Sequence, residues 1–150
     1  MKGVETLQAG PATLQALGRL VVETRGQGLT EVTRETVAFV AGSGVRHGLL
    51  TVYCRHTSAS LAIQENADPD VRTDLLAALD RLAPRDAPYV HDAEGPDDMP
   101  AHVRAVLTGA SAAVPVADGR LMLGTWQGLY LVEHRDRPHR RELLLHVIGG

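Results

Sequence analysis

The rhythm of apolar positions changes several times along the chain, and each change marks an element. Residues 16–24, ALGRLVVET, read as a first strand. The turn residues GQG follow, and Thr30 stands as the N-cap of a helix over EVTRETVAFVAGSG, where Val32, Thr36, Val37 and Val40 form one stripe ending at Gly42 or Gly44. GLLTVYC at 48–54 is rich in apolar and β-branched residues, and SLAIQE at 60–65 alternates, so both read as strands. Asp68 followed by Pro69 is a helix start: the aspartate accepts from free amides while proline is preorganised for the first helical position. In the segment that follows, Val71, Leu75, Leu79 and Leu82 share one face. A short helix, AHVRAVLTG, begins after Met99 and Pro100, with Asp97 or Asp98 as its cap. Beyond Gly109 only strands are expected: ASAAVPV, a hairpin turn at Asp118-Gly119, RLMLGTWQGLYLVEHR as one segment, and RRELLLHVI.

The resulting order, β-α-β-β-α-α-β-β-β, predicts an α+β protein: a single compact domain with two to three helices on a mostly antiparallel sheet. The late strands are apolar on consecutive positions, which predicts cover on both faces by helices or by another subunit. A chain of 150 residues suits one domain, and no repeat or shift in composition divides it. Because only 3% of the residues are aromatic, the core must be built from Leu, Val and Ala.

Charge narrows the function classes. The formal net charge is −3, and basic residues gather only between Arg135 and Arg141, so the basic face of a general nucleic-acid binder is missing. No run of roughly 18 apolar residues is present to span a membrane, and MKGVETLQAG has no apolar signal core. Cys54, the single cysteine, has no partner for an internal disulfide, and it reads as a small core residue. A cytoplasmic protein without nucleic-acid or membrane partners is expected.

Three clusters carry candidate chemistry. In RHTSASLAIQEN, His56 is followed by Thr57, Ser58 and Ser60; small hydroxyl residues with free amides after a strand can cradle a phosphate, or can simply satisfy a turn. In YVHDAEGPDDMPAHVRAVLTG, His91 and His102 flank Asp92, Glu94, Asp97 and Asp98. Imidazole with carboxylate is a ligand set that zinc and similar ions accept. His56 is the natural third ligand; the alternative is separate solvated or capping histidines. In GTWQGLYLVEHRDRPHRRELLL, glycines around Trp126 and Gln127 suggest a bulge or a close approach, unless Trp126 is only the largest core residue. One of the arginines that follow is suited to fork onto a phosphate, although such charge runs usually form a solvated end.

Taken together, HTSASLAIQENADPDVRTDL, EGPDDMPAHVRAVLTG, GRLMLGTWQGLYLVEHR and PHRRELLL resemble the YjbQ-like family, often described as secondary thiamine-phosphate synthases. The resemblance runs from about Leu17 to Ile148, leaves residues 1–16 as an extension outside it, and finds Gln64 where relatives more often carry Asn. It implies a homotrimer with metal and anion sites near subunit boundaries. It also implies a weak or promiscuous joining of hydroxymethylpyrimidine diphosphate to thiazole phosphate, with release of diphosphate. By position, His56, His91 and His102 would be the metal-site or catalytic histidines, with zinc as the ion and Arg140 as a catalytic cation. Thr57, Ser58, Ser60, Thr125 and Gln127 would line the anion pocket, with Glu65, Asn66, Asp97, Asp98 and Glu133 nearby. Two other readings remain open: a metal-dependent phosphoester hydrolase, and a trimeric metal- or anion-binding protein without catalysis.

Overall fold

The computed structural model describes residues 2–150. Its strands are β1 (Leu14–Glu23), β2 (Gly28–Glu31), β3 (Gly48–Cys54), β4 (Ala59–Glu65), β5 (Ser111–Ala117), β6 (Arg120–Leu121), β7 (Gln127–Glu133) and β8 (Arg140–Gly149). Its helices are α1 (Thr33–Ser43), α2 (Pro69–Leu82) and α3 (Asp98–Thr108). Every strand pair is antiparallel, in a five-stranded sheet ordered β1-β8-β3-β5-β6 and a three-stranded sheet ordered β2-β7-β4. The α+β class and the single domain are as the pattern predicts; the division into two sheets is not visible in it.

Two elements differ from the sequence reading, both where the chain passes between sheets. Thr30 does not cap a helix: residues 28–31 pair with β7 first, and the Val32 amide donates to the Leu129 carbonyl at 2.8 Å before the chain turns. α1 therefore starts at Thr33, whose hydroxyl binds Glu31 and accepts from the Leu129 amide, each at 2.9 Å. GLTE is too short, and starts with too small a residue, to carry a strand signal. The segment 120–135 is likewise two strands rather than one. After β6 the chain leaves the five-stranded sheet through a turn in which the Gln127 amide donates to the Gly124 carbonyl and the Gly124 amide to the Gln127 side chain.

Local chemistry places the other elements as expected. Asp68 accepts from the Asp70 amide at 2.9 Å with Pro69 as the first helical residue. The hairpin between β5 and β6 has positive φ at both Asp118 (51°) and Gly119 (73°), the backbone that this dipeptide tolerates.

Inward residues of both sheets, Leu50, Val52, Leu61, Leu129, Leu131, Leu143, Leu145 and Val147 among them, form one buried cluster with Val40 of α1. Each fully buried side chain of this type stabilises the fold by roughly 1.5–3 kcal/mol. Cys54 is buried there, as expected. β7 is covered from Gly128 to Glu133 on both faces, whereas β8 alternates. The outer face of the five-stranded sheet consequently leaves Leu17, Leu49, Tyr53 and Ile148 exposed. Among the described residues no helix is long and apolar enough to cross a membrane.

Candidate metal centre

Asp98 and His102 are four residues apart on α3, so the helix sets both on one face at its first turn. Asp98 is buried, and its Oδ2 lies 2.7 Å from His91 Nε2 and 3.2 Å from His102 Nε2. His91 Nε2 is 3.6 Å from Glu94 Oε2. One donor atom from each of His91, Glu94, Asp98 and His102 falls within 4.8 Å of the others. The loop before α3 supplies two of these side chains and the helix the other two.

The tautomer of His102 decides what this cluster wants. His102 Nδ1 lies 2.9 Å from the Thr57 carbonyl, which can only accept, so Nδ1 carries the proton. A neutral His102 therefore leaves Nε2 as a bare lone pair 3.2 Å from a carboxylate oxygen, and a positive charge shared by the two acceptors would relieve their repulsion. A second proton or a metal ion supplies it. Zinc bonds of about 2.0–2.2 Å fit donor atoms spaced this way, and an outer N–H bound to a backbone carbonyl is the usual support of a ligating histidine. Burial opposes ionisation of Asp98, but hydrogen bonding with His91 and Glu94 and the charge of Arg135 outweigh it and hold the carboxyl below its ordinary range.

Arg135, from the β7–β8 connection, frames the loop. Its Nε donates to Asp97 Oδ2 at 2.9 Å, its Nη1 to Asp98 Oδ1, and its Nη2 to the Glu94 carbonyl at 2.9 Å. The Asp136 amide donates to Asp97 Oδ2 at 3.0 Å. Asp97, at the N-cap position, thus makes no side-chain cap bond: its carboxylate is spent on Arg135 and Asp136 instead. Arg85 in turn holds Asp136 by two hydrogen bonds of 2.6 Å.

His56 does not join the cluster. Its Nε2 accepts from the Glu142 amide at 2.8 Å, so the atom that would bind metal is engaged elsewhere. Burial, followed by the Arg141 charge, lowers its pKa, keeping it neutral. In place of the third ligand expected from His56, the groups that approach His91 and His102 are Asp98 and Glu94. Arg140 is exposed and lies 3.6 Å from Glu23; the alternation of β8 turns the adjacent Arg141 inward instead.

Behind the loop 56–58 lies a buried polar network. Arg141 pairs with Glu133, and its Nη2 donates to Ser58 Oγ at 3.0 Å. Thr24 Oγ1 donates to Glu133 at 2.8 Å. Burial would raise the Glu133 pKa, but bonds from Arg141, the Arg135 amide and Thr24 hold it down. Ser60 is fully buried and hydrogen-bonded to His134 Nε2 at 2.7 Å and to Thr108. Burial, assisted by the Arg104 charge, pushes the His134 pKa down to about 4. Ser58 and Ser60 are thus occupied in tying elements together, and only Thr57 of the three is exposed.

The remaining expected residues sit at the other end of the three-stranded sheet. Ala59 pairs with Glu133 while Glu65 pairs with Gln127, six residues along, a span of about 20 Å at 3.3 Å per residue. Thr125 and Gln127 therefore do not share a pocket with Thr57, Ser58 and Ser60 within one chain. They neighbour Glu65 and Asn66, whose side chain donates to Glu31 at 2.9 Å. Trp126 is 63% exposed and is no core residue. The close approach is at Gly128, where a Cβ would meet Glu31 Oε1 at 2.8 Å and Asn66 Cβ at 2.9 Å; at Gly124 it would meet only the Gln127 side chain.

Comparison with known proteins finds one family over most of the chain. The family model described as UPF0047 protein YjbQ-like matches residues 19–150. The UPF0047 protein sll1880 of Synechocystis is 55% identical over 131 residues, 87% of this chain and 89% of its own. The UPF0047 protein YjbQ of Salmonella typhimurium is 40% identical over 87% of this chain and 95% of its own. Among solved structures, a YjbQ/UPF0047 family protein from Clostridium acetobutylicum superposes with a TM-score of 0.81 at 37% identity, covering 86% of this chain and 98% of that one. A protein from Aeropyrum pernix gives 0.83 at 32% identity, covering 90% and 99%.

Proposed function

The chain belongs to the UPF0047 protein YjbQ-like family, and from that premise we propose that it is a metal-dependent enzyme of small phosphate-bearing substrates, joining hydroxymethylpyrimidine diphosphate to thiazole phosphate. The observation that carries the metal half of this reading is the meeting of His102 Nε2 with Asp98 Oδ2, two acceptors that call for a cation. Zinc is the proposed ion, held by His91, Glu94, Asp98 and His102. When bound, it supplies positive charge to phosphate oxygens as diphosphate departs.

The protein's own groups support transfer in three ways. Thr57 fixes the His102 ring, and Arg135 fixes the two aspartates. The His91 and Glu94 side chains, 48% and 63% exposed, leave the cluster open to a substrate. A cavity of about 360 Å³ adjoins it, with Arg85, Tyr89, His91, Asp92, Met99 and three prolines in its wall, enough to receive a small organic ligand. Asp97 and Asp98 are committed to Arg135 and the histidines, which leaves neither as a base for water. A neutral ring nitrogen as nucleophile requires none, so positioning and charge neutralisation suffice, a combination consistent with slow or promiscuous turnover.

The same proposal includes a homotrimer, supported by the apolar outer sheet face. Copies meeting there would be a means of bringing the Trp126 end of one chain to the metal end of another. The test is to load the purified protein with zinc and assay thiamine phosphate formation beside hydrolysis of p-nitrophenyl phosphate. Formation that is lost on chelation supports transfer; release of p-nitrophenol alone identifies a hydrolase; neither, with metal retained, identifies a binding protein.

A further inference from the structure

Arg135 spends its guanidinium in a way that bears on which ion the cluster accepts. A carboxylate can give a metal one oxygen or both, and large oxygen-seeking ions such as Mn²⁺ and Ca²⁺ gain most from the second. In Asp98 the choice is already made. Oδ1 accepts from Arg135 Nη1, while Oδ2 alone faces His91 and His102. The same guanidinium grips Asp97 through Nε and the Glu94 backbone carbonyl through Nη2, so one side chain holds the Asp98 carboxylate and the main chain that carries Glu94. That side chain is only 20% exposed and Asp98 only 2%, which keeps solvent from competing for the bond.

We propose that Arg135 is a positioning and ion-specificity residue: by occupying Asp98 Oδ1 it restricts Asp98 to a single metal bond and selects a small, four-coordinate, nitrogen-accepting ion over larger oxygen-seeking ones. This rests on the metal reading given above and names its determinant. Lysine at 135 keeps the charge but lacks the fork, and so cannot hold Asp97, Asp98 and Glu94 together. Arg46→Gln is the control, since it breaks a surface ion pair with Asp118 at 3.6 Å and touches no proposed ligand.

The experiment is calorimetric titration of the metal-free protein with Zn²⁺ and Mn²⁺, together with the visible absorption spectrum of the Co²⁺-substituted form. In Arg135→Lys the Zn²⁺ affinity is expected to fall 10–100-fold, the range for losing an outer partner of a ligand, and the preference for Zn²⁺ over Mn²⁺ at least about tenfold. The Co²⁺ bands are expected to weaken and shift as coordination number rises, while Arg46→Gln retains the parent values. If the parent binds Zn²⁺ and Arg135→Lys keeps both its affinity ratio and its Co²⁺ spectrum, the assignment to Arg135 is wrong. If the parent binds neither ion, the metal reading itself fails. Arg135→Gln guards against a folding artefact: with a parent-like circular dichroism spectrum it must show the same loss of preference, and a parent-like ratio overturns the proposal.

Discussion

The Nδ1 of His102 donates to the carbonyl of Thr57 at 2.9 Å, across forty-five positions of sequence. This one bond joins the loop after β3 to the first turn of α3 and fixes which imidazole nitrogen is free. Everything chemical at this end of the molecule is arranged around it: His56 and Ser58 on either side of Thr57 bind β8, while His102 turns toward Asp98.

Removal of the histidine tests the cluster directly. A zinc concentration of about 100 times Kd should stabilise the parent by about 2.7 kcal/mol. His102→Ala, a partly exposed helix residue, should stay folded and lose most of that increment. Thermal melting with and without zinc reads it, and an equal rise in both proteins removes His102 from the ligand set.

His134 sets a pH dependence outside the cluster. Its folded pKa, about 4, lies below the ordinary 6.5, so the unfolded chain binds more protons throughout that window and stability rises with pH across it. Falling from pH 6.5 to 4 should therefore cost up to about 3 kcal/mol. His134→Gln, which keeps a partner for Ser60 without titrating, should flatten the profile; urea midpoints at pH 7.5 and 5 measure it.

Glu133 and Arg141 form a buried pair, and each is held by other groups as well. Glu133→Ala strands a buried guanidinium and should destabilise by about 3–5 kcal/mol. Adding Arg141→Met should recover much of this, because no uncompensated charge then remains. Equal urea stability of the single and double variants would show that the charge is solvated after all.

Gly48 and Gly149 face one another across β3 and β8, where a Cβ on Gly48 would stand 2.1 Å from the Ile148 carbonyl oxygen. Gly48→Ala should cost about 3 kcal/mol, the upper range for overpacking. Gly124→Ala, in an open turn, should change stability by less than about 0.5 kcal/mol. Chemical denaturation of the two variants separates them.

The open sheet face gives a prediction about assembly. Tyr53→Arg with Leu49→Asp places charge on a surface whose apolar side chains are left partly exposed by the chain itself. Light scattering should then report a monomer where the parent is a trimer; a monomeric parent, or a trimeric variant, rejects this face as the interface.

Elements whose signals are local were legible in the sequence. Asp68-Pro69, Asp118-Gly119 and the stripe of α2 each carry their own geometry, and the family motifs pointed to His91, Asp98 and His102. What depended on distant partners was not: β2 exists only because β7 lies beside it, and Asp97 reads as a cap until Arg135 claims its carboxylate. His56 was misplaced for the same reason, since nothing near it in sequence reveals that the Glu142 amide occupies its ring. Glu94 and Arg135 had weaker cues. The four-residue spacing of Asp98 and His102 was the available signal that a carboxylate, rather than a third histidine, completes the group.

Helix α2 is amphipathic, yet none of its side chains is fully buried. Its firmest tether lies at its end, where buried Arg104 forms an ion pair with Asp80 at 2.8 Å and donates to the Ala83 carbonyl at 3.2 Å. Backbone amides of such a segment exchange with solvent deuterium through local opening, long before global unfolding releases those of β3 and β8. The molecule thus has a buried scaffold of strands and, held to it by a few side-chain contacts such as those of Arg104 and Gln27 with Asp80, a helix expected to open before the scaffold does.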